Sequence, residues 1–399
     1  MSTQPTLRRL TIFDAVIRAG SAGTAAQAIG LSQPAVTHAL HKLEAEAGAR
    51  LLDRGPGGSQ PTRAGRLLHR RVERLLRQIE LGMLDMGSEA APRSLTTPQL
   101  RAHLAIARRG SFRAAARDLG VAEPSLHRVA RDLETAVGVK LYRRTPQGVS
   151  ATRDGLRFAG RLRLALYEID QALDELEAER ELGRGRVSVG CLPLMPKPVI
   201  ARALGRLLQD FPAVQVTVEE APHVTLMASL RAAELDILVG ALRTPRLGGD
   251  VRERPLFSDP HLVAVRRDHP LARADEVEEA DLSRFPWVVP PCGTPRGAYV
   301  ERLFAELPER PRIVAETSSL SMMTALLAES DCLTLVSRAQ ALQEFRGVDL
   351  ATLPLHLRAP ERTVGATTRA GWLPTIVQRR FLDLLRQECR RIAEEPLAA

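Results

Sequence analysis

Apolar and polar positions follow a helical period at the start of the chain. From residue 7 to residue 19, apolar side chains recur at steps of three and four, which predicts an amphipathic helix with one buried face. A second, alanine-rich helix is predicted over about residues 23–29. A third begins after Ser32, which can cap its first turn, where Pro34 is tolerated. Two short helices joined by a glycine turn are typical of a helix-turn-helix.

The stretch after the third helix predicts a two-stranded wing. Residues 48–63 contain an apolar pair, then a run of glycines with a proline where the chain has to turn. Arginines in this stretch can reach the phosphates that flank a DNA groove.

The whole pattern returns at a fixed distance of 90 residues. The matching positions include Gly20 and Gly110, Gly30 and Gly120, Pro34 and Pro124, Glu44 and Glu134, and Gly65 and Gly155. The register holds without a gap, so a duplicated module is the simplest explanation.

The second half of the chain alternates between short strands and helices. Strands are predicted at 186–190, 214–219 and 236–239, with helices at 198–210 and 224–233 between them. This order is typical of a parallel sheet with right-handed crossovers. Further strands are predicted at 261–266, 287–289, 312–315 and 333–336, and further helices at 320–329 and 373–392.

Basic residues are concentrated in the repeated half. Residues 1–186 contain 30 lysines and arginines against 20 acidic residues, whereas residues 187–399 contain 26 against 27. This excess indicates a polyanionic partner. Double-stranded DNA is favoured over a membrane, because no stretch has the roughly 18 apolar residues of a spanning helix. The cysteines form no C-x-x-C pair and the start lacks a secretory pattern, so we expect a cytoplasmic protein.

The repeated segments resemble the winged helix-turn-helix of LysR-type transcriptional regulators. In copy one the resemblance lies in LSQPAVT at residues 31–37, in LEAEAGARLLDR at 43–54 and in TRAG at 62–65. Copy two shares it through PSL at 124–126 and GVKLYRR at 138–144. The second half resembles the effector-binding domain of the same family, through ELDILVGAL at 234–242 and PLFSDPHLVAVRRDHPLA at 255–272.

This resemblance implies a multidomain fold, in which two all-α-rich winged helix-turn-helix domains precede an α/β, two-lobed effector domain like a periplasmic binding protein. Its finer likeness is to regulators of sugar-binding-protein genes and of aromatic-acid catabolism. Family members ordinarily carry one DNA-binding domain, so the tandem is a departure. The expected segments are copy one at 1–65, a helix and linker at 66–94, copy two at 95–155, a linker or dimerisation helix at 156–184 and the effector domain at 185–399.

Both copies are expected to contact DNA, through different side chains. The candidate residues are Ser32, Gln33, Ala35, Thr37, His38, His41, Arg54 and Arg63 in copy one, and Ser125, Arg128, Arg131, Arg144 and Arg153 in copy two. Gln33 can make a bidentate contact to adenine, whereas copy two has Glu123, which can accept from cytosine but repels phosphate. We favour copy one as the base-reading head. The alternative is that one copy serves as a dimerisation or spacer module.

A helix is predicted after each winged domain, over about 64–84 and 155–182, the second with an apolar side. In the family this helix pairs with its mate from a second subunit, so the resemblance implies a homodimer or homotetramer. Apolar spacing of this kind is more often covered within one chain, and that alternative stays open.

A small-molecule effector, either a sugar or an organic or aromatic acid, is expected in the second half. Ligands in open α/β sheets bind beyond the carboxyl ends of strands. The candidate residues there are Leu192, Pro193, Leu194, Gly240, Thr294, Arg296, Thr317, Ser318 and Ser319. Arg296 suits a carboxylate or phosphate. The alternative is that the hydroxyls cap helices and that Arg296 is a solvated loop residue.

The predicted function is sequence-specific transcriptional regulation, controlled by an effector bound between the two lobes. RNA polymerase is a further candidate partner. The sequence contains no catalytic motif, and neither a metal nor a cofactor is expected, since His38 and His41 have no other ligand beside them. Two alternatives remain: an architectural DNA-binding protein without effector control, and a redox-sensing regulator that uses Cys191 and Cys292.

Overall fold

The computed structural model describes residues 5–55, 58–145, 148–180, 184–242, 248–274, 276–345, 347–355, 357 and 362–396. The chain divides into two compact units, Met1–Gly185 and Arg186–Ala399. In the described part of the chain, every helix is too short or too polar to cross a membrane.

The first unit contains the same set of elements twice. Copy one has α1 Leu7–Ala19, α2 Ala22–Ile29, α3 Gln33–Ala47, β1 Leu52–Gly55, β2 Gly58–Pro61 and α4 Arg63–Leu84. Copy two has α5 Thr97–Arg109, α6 Phe112–Leu119, α7 Glu123–Val137, β3 Tyr142–Thr145, β4 Gly148–Ala151 and α8 Arg153–Arg180. A short 3-10 turn, Pro92–Ser94, lies between them. The predicted helices and both wings, the antiparallel pairs β1–β2 and β3–β4, are confirmed.

Each wing is fixed to its domain by the same two contacts. The Glu44 carboxylate accepts from the amides of Leu51 and Leu52, and Glu134 does the same for Leu141 and Tyr142. A side chain on Gly65 would collide with the Leu51 carbonyl, as one on Gly155 would with the Leu141 carbonyl. Only glycine therefore allows the following helix to start this close to the wing.

Copy two has a more aromatic core than copy one. His103 is fully buried and stands at the position of Phe13; its ring nitrogens bond the Tyr142 hydroxyl and the Gly155 carbonyl, both within 2.9 Å. Phe112 and Phe158 pack around the same pair of rings. Burial lowers the pKa of His103 to about 4, so this imidazole is neutral in the folded protein at pH 7.

The helices α4 and α8 pack against each other within the chain. Gly82 near the end of α4 lies against Phe158 near the start of α8, while Arg71 reaches Glu168 and Glu175 further along, so the two helices run antiparallel. The apolar side of α8, which the resemblance assigns to a second subunit, is thus covered inside one chain.

Charged side chains are buried at this helix pair. The guanidinium of Arg71 has no exposed surface and donates to Glu168 at 2.8 Å and to Glu175 at 2.9 and 3.1 Å. Arg74 donates to the other oxygen of Glu168 at 2.7 Å. Because each buried charge has an opposite charge in hydrogen-bond contact, the pairing fixes one register of α4 on α8.

The second unit has two lobes, whose elements are β5 Gly185–Cys191, α9 Lys197–Asp210, β6 Val214–Glu220, α10 His223–Arg231, β7 Ile237–Ala241, β8 Val251–Asp259, β9 His261–Arg266, β10 Trp287–Val289, α11 Pro295–Glu306, β11 Ile313–Glu316, α12 Leu320–Ala328, β12 Thr334–Ser337, α13 Arg338–Glu344, β13 Leu350–Thr352, β14 Arg362–Arg369 and α14 Ile376–Glu394. Lobe one has the sheet β6-β5-β7-β14-β8. Lobe two has β12-β9-β13 and the parallel pair β10–β11. The chain passes from lobe one to lobe two between β8 and β9.

The expectation of a parallel sheet is correct only in part. Strand β5 pairs parallel with β7, but β14 lies antiparallel between β7 and β8. The sequence pattern does not predict β8 and β14, because they mix arginines, glycine or proline with short apolar stretches. The pattern also predicts no helix over residues 295–306, where α11 begins at Pro295, a first helical position in which proline is tolerated.

We expect unit one to lose stability as the pH falls from about 6.5 to about 4. His103 has a pKa of about 4 when folded and near 6.5 when unfolded, so acid protonates the unfolded chain first. The full effect is about 3 kcal/mol. Thermal unfolding followed by circular dichroism between pH 7.5 and 4.5 measures it.

The double substitution His103→Phe with Tyr142→Leu, which installs the residues of copy one, is the control. In this variant the unfolding temperature of the first unit should fall less as the pH is lowered. An equal pH dependence in both proteins would contradict the assignment to His103.

Candidate DNA-binding and effector-binding sites

Helix α3 presents a polar, exposed surface at its N-terminus. Ser32 caps the helix by accepting from the Ala35 amide at 3.4 Å, which satisfies one of the free N–H groups of the first turn. Gln33, Ala35, His38 and His41 are exposed and form what we call the reading face of copy one. Thr37 is half-buried beside them, and a shallow concavity is lined by Gln33, Pro34, Thr37, His38 and His41.

Helix α7 presents the corresponding surface of copy two, with other chemistry. Glu123, Ser125, Arg128 and Arg131 are exposed and form the reading face of copy two. Ala122 stands at the cap position and provides no side-chain hydrogen bond. The two histidines of copy one are thus replaced by two permanent cations.

One neighbour of the copy-two face lies close to its acidic residue. The His127 ring stacks on Phe112 with centroids 4.2 Å apart, and its Nε2 lies 3.7 Å from the Glu123 carboxylate. Copy one has Thr37 and Ala22 at these two positions, so it lacks this arrangement.

The remaining candidate DNA contacts lie at the wings and at the starts of the long helices. Arg144 is exposed on β3, and Arg63 and Arg153 are exposed as the first residues of α4 and α8. The side chain of Arg54 lies outside the described residues. Arg143 beside Arg144 is also exposed and is a further cation that the set of candidate residues did not include.

Two of the four hydroxyl groups predicted to bind the effector are engaged in helix caps. Thr294 accepts from the Gly297 amide at the start of α11, and Ser319 accepts from Met322 at the start of α12. Thr317 accepts from the Ser319 amide, while Ser318 is exposed. Both caps follow the parallel strands β10 and β11, so they lie at the same edge of lobe two.

Arg296 is not the solvated loop residue of the alternative interpretation. It lies in the first turn of α11 with 4% of its surface exposed. Its Nη1 donates to the Leu335 carbonyl at 3.5 Å, and among the described residues its Nε and Nη2 have no hydrogen-bond partner. Burial, and then the nearby Arg362 cation, lower the pKa of Arg296 well below its usual value.

Arg362 and His261 belong to the same buried cluster, and the sequence pattern predicted neither of them as a site residue. Arg362 donates to the Leu194 carbonyl at 3.3 Å and lies 4.0 Å from the carboxylate of Asp259. Burial, Arg296 and Arg362 together lower the pKa of His261 to about 3, so this ring is neutral at pH 7. Two cations therefore face one carboxylate among the described residues. Asp259 and His261 flank the crossing from lobe one to lobe two.

Of the predicted effector-binding residues in lobe one, some lie beside this cluster and one lies in the core. Leu192, Pro193 and Leu194 follow β5 and are half-buried, and the Leu194 carbonyl touches the cluster. Gly240 is a correction: it is buried inside β7, and a side chain there would come within 2.5 Å of Leu192. It offers no surface to a ligand.

The cysteines give little support to redox sensing. Cys191 is 4% exposed and burial raises the pKa of its thiol, which disfavours the reactive thiolate. Cys292 is exposed in the loop before α11. The described residues also include one group with metal-like spacing, Asp14, His69 and Glu73, but Arg18 pairs with both carboxylates of this group.

Comparison with known proteins agrees with these two kinds of site. Residues 7–66 and 97–156 each match the family model for the bacterial regulatory helix-turn-helix protein, lysR family, and residues 180–390 match the LysR substrate binding domain. Fold and sequence together define a DNA-binding transcriptional regulator with an effector-binding domain. The chain belongs to the LysR family of transcriptional regulators.

Two relatives match different shares of this chain. The HTH-type transcriptional regulator GalR of Pseudomonas putida is 28% identical over 387 residues, covering 96% of this chain and 97% of that protein. The HTH-type transcriptional regulator PcaQ of Agrobacterium fabrum is 29% identical over 301 residues, covering 74% and 94%. An alignment over 96% of this chain has to include both winged domains, whereas about three quarters of this chain accounts for nearly all of the second relative.

Solved structures show the same fold. A full-length OxyR variant from Pseudomonas aeruginosa has a TM-score of 0.52 and 21% identity, covering 76% of this chain and 99% of that one. Full-length CbnR, solved in complex with its target DNA, has a TM-score of 0.50 and 22% identity, covering 73% and 98%.

We expect Gln33→Ala and Arg144→Ala to weaken DNA binding in different ways. Loss of a bidentate base contact should lower the affinity for a duplex selected from random sequences about 10-fold and leave its salt dependence unchanged. Loss of a phosphate contact should weaken binding to all duplexes and reduce the salt slope by about 1. Fluorescence anisotropy between 50 and 300 mM salt, roughly the range over which phosphate contacts change affinity, separates the two.

Arg273→Ala, which removes an exposed cation from the second unit, is the charge-matched control and should change neither quantity. An unchanged affinity and base preference in Gln33→Ala would remove this residue from the reading face.

Proposed function

We propose that this LysR-family regulator responds to an anionic effector, a carboxylic acid before a neutral sugar. The observation that carries the proposal is the buried Arg296, two of whose nitrogen atoms lack a partner among the described residues. A guanidinium keeps its proton in proteins, so its burial costs free energy unless an anion compensates it.

The surroundings of Arg296 favour a bound anion over a neutral ligand. Arg362 adds a second cation, so two arginines face the single carboxylate of Asp259. Its Oδ1 accepts from the Ala339 amide at 2.9 Å, whereas its Oδ2 lies 4.0 Å from Arg362 and has no hydrogen-bond partner among the described residues. A carboxylate placed between the two arginines would balance the charge and accept hydrogen bonds in the planar geometry that guanidinium groups match. A sugar hydroxyl would satisfy a donor but leave the excess charge.

The position of this cluster connects it to regulation. Asp259 and His261 lie at the crossing between the lobes, Arg296 lies in lobe two, and the Leu194 carbonyl of lobe one accepts from Arg362. We propose that an effector bound at the arginines favours one relative position of the lobes and in this way changes DNA binding by the first unit.

The proposed function also includes the DNA contacts of the first unit and the cellular compartment. We propose that both reading faces contact bases, that the wing arginines contact phosphates and that the protein acts in the cytoplasm, where it meets DNA and RNA polymerase. We also propose, on the family resemblance alone, that chains associate as a homodimer or homotetramer.

The effector class is tested by thermal unfolding of the full chain with benzoate, succinate, phosphate or galactose. A carboxylate at about 100 times its dissociation constant should stabilise the effector unit by about 2.7 kcal/mol, which corresponds to several degrees. Arg296→Met should abolish this shift and should also unfold at a higher temperature than the wild type when no ligand is added, because an unpaired buried charge is removed.

Arg310→Met, which removes an exposed arginine paired with Glu301 in the same lobe, is the matched control and should keep the shift. Stabilisation by galactose but by none of the acids would contradict the proposal.

A further inference from the structure

The contacts between α4 and α8 occur twice, with the two copies exchanged. Arg71 of α4 bonds Glu168 and Glu175 of α8. The residue 90 positions after Arg71 is Arg161 of α8, and it bonds Gln78 at 3.4 Å and Asp85 at 3.0 Å. Gln78 and Asp85 are the residues 90 positions before Glu168 and Glu175. The second set of contacts is therefore the first set with copy one and copy two interchanged.

A contact between equivalent residues supports the same relation. The amide of Leu7, the first residue of α1, donates to the Thr97 hydroxyl at 2.8 Å, and Thr97 is the first residue of α5. Two equivalent positions touch each other where a two-fold axis passes between them. The antiparallel helices α4 and α8 are consistent with the same two-fold axis. Leu75 and Ala165, which are equivalent and both buried, lie near the middle of the α4–α8 contact.

The two copies also share a hydrophobic core. One continuous cluster of buried side chains runs from α1 through α4 into α7 and α8. Its members on the two long helices are Leu68, Val72, Leu75, Ile79 and Met83 of α4, and Phe158, Leu162, Ala165, Ile169, Ala172 and Leu176 of α8. The copies are thus joined by a packed interface and not by a loose linker, so the position of one reading face fixes the position of the other.

Double-stranded DNA has a two-fold axis of its own at the centre of an inverted repeat. Two recognition helices that are related by a matching axis meet two half-sites in opposite orientation. This arrangement ordinarily needs two subunits. In this chain α3 and α7 are related in this way within one polypeptide.

The reading faces differ at each of their equivalent positions, so the half-sites have to differ as well. Gln33 is matched by Glu123, His38 by Arg128 and His41 by Arg131. Glutamine suits adenine, glutamate accepts from cytosine, and arginine makes its commonest bidentate contact to guanine.

We propose that one chain of this protein is a complete two-headed reader, in which copy one and copy two bind the two unequal halves of a single imperfect inverted repeat. The inference rests on the proposed DNA-binding function and adds that the two copies of one chain divide a single inverted repeat between them, one half-site each.

The test is selection of duplexes from a random library by the full chain, followed by sequencing, for the wild type, Gln33→Ala and Arg128→Ala. The wild type should select an inverted repeat with dissimilar halves. Gln33→Ala should lose base preference at least 5-fold in one half only, and Arg128→Ala in the other half only. Arg273→Ala in the second unit is the control and should leave both halves unchanged.

A different result is expected if two chains each contribute copy one to the operator. Gln33→Ala would then change both halves equally, and Arg128→Ala would change neither, which overturns the two-headed reader and leaves DNA binding intact. If the wild type enriched no sequence at all, the DNA-binding function itself would fail together with this inference.

Discussion

The first unit depends on the buried guanidinium of Arg71 between Glu168 and Glu175. A charge with no exposed surface is tolerated only with partners in contact, and removing one partner of a buried pair typically costs about 3–5 kcal/mol. The ion pairs of Arg71 with Glu168 and Glu175 form in only one register of α4 on α8. One side-chain contact thus sets the register of two long helices, and through them the placement of the two winged domains. Copy two repeats the contact in a weaker form, with Arg161 on an amide and an exposed carboxylate.

Much of this unit could be predicted from the sequence, because its signals are local. The caps Ser21 and Ser32, the glycine turns and the 90-residue repeat each act within a few residues or at a fixed offset. The pairing of α4 with α8 could not be predicted in this way. The sequence shows that Arg71 is equivalent to Arg161, and Glu175 to Asp85. It does not show that Arg71 contacts Glu175 or that Arg161 contacts Asp85, because these contacts depend on how two distant helices fold back on each other. An apolar helix side looks the same whether its own chain or a second one covers it.

The effector unit was harder to predict for the same reason. The apolar runs of β5, β7 and β9 predict these strands, whereas β14 contains few apolar residues and is held in place by its two neighbours. Arg362 lies on this missed strand and His261 begins β9, so the cluster around Arg296 combines residues more than 60 positions apart. Of the predicted hydroxyls, those of Thr294 and Ser319 cap helices. The proposed effector site rests instead on a surplus of positive charge, which only the tertiary structure brings together.

The pairing of the two heads within one chain is tested most directly by a disulfide between α4 and α8. A Cβ at Gly82 would lie 2.9 Å from that of Arg161 and 2.8 Å from the Phe158 ring, so the two cysteines are adjacent but the helices have to move apart slightly to reach the roughly 3.8 Å of natural disulfides. In a background with the exposed Cys292 replaced by serine, Gly82→Cys with Arg161→Cys should oxidise to a product that keeps the mass of one chain under non-reducing conditions. A cross-linked product of twice that mass would show that the helices pair between chains and would contradict the account.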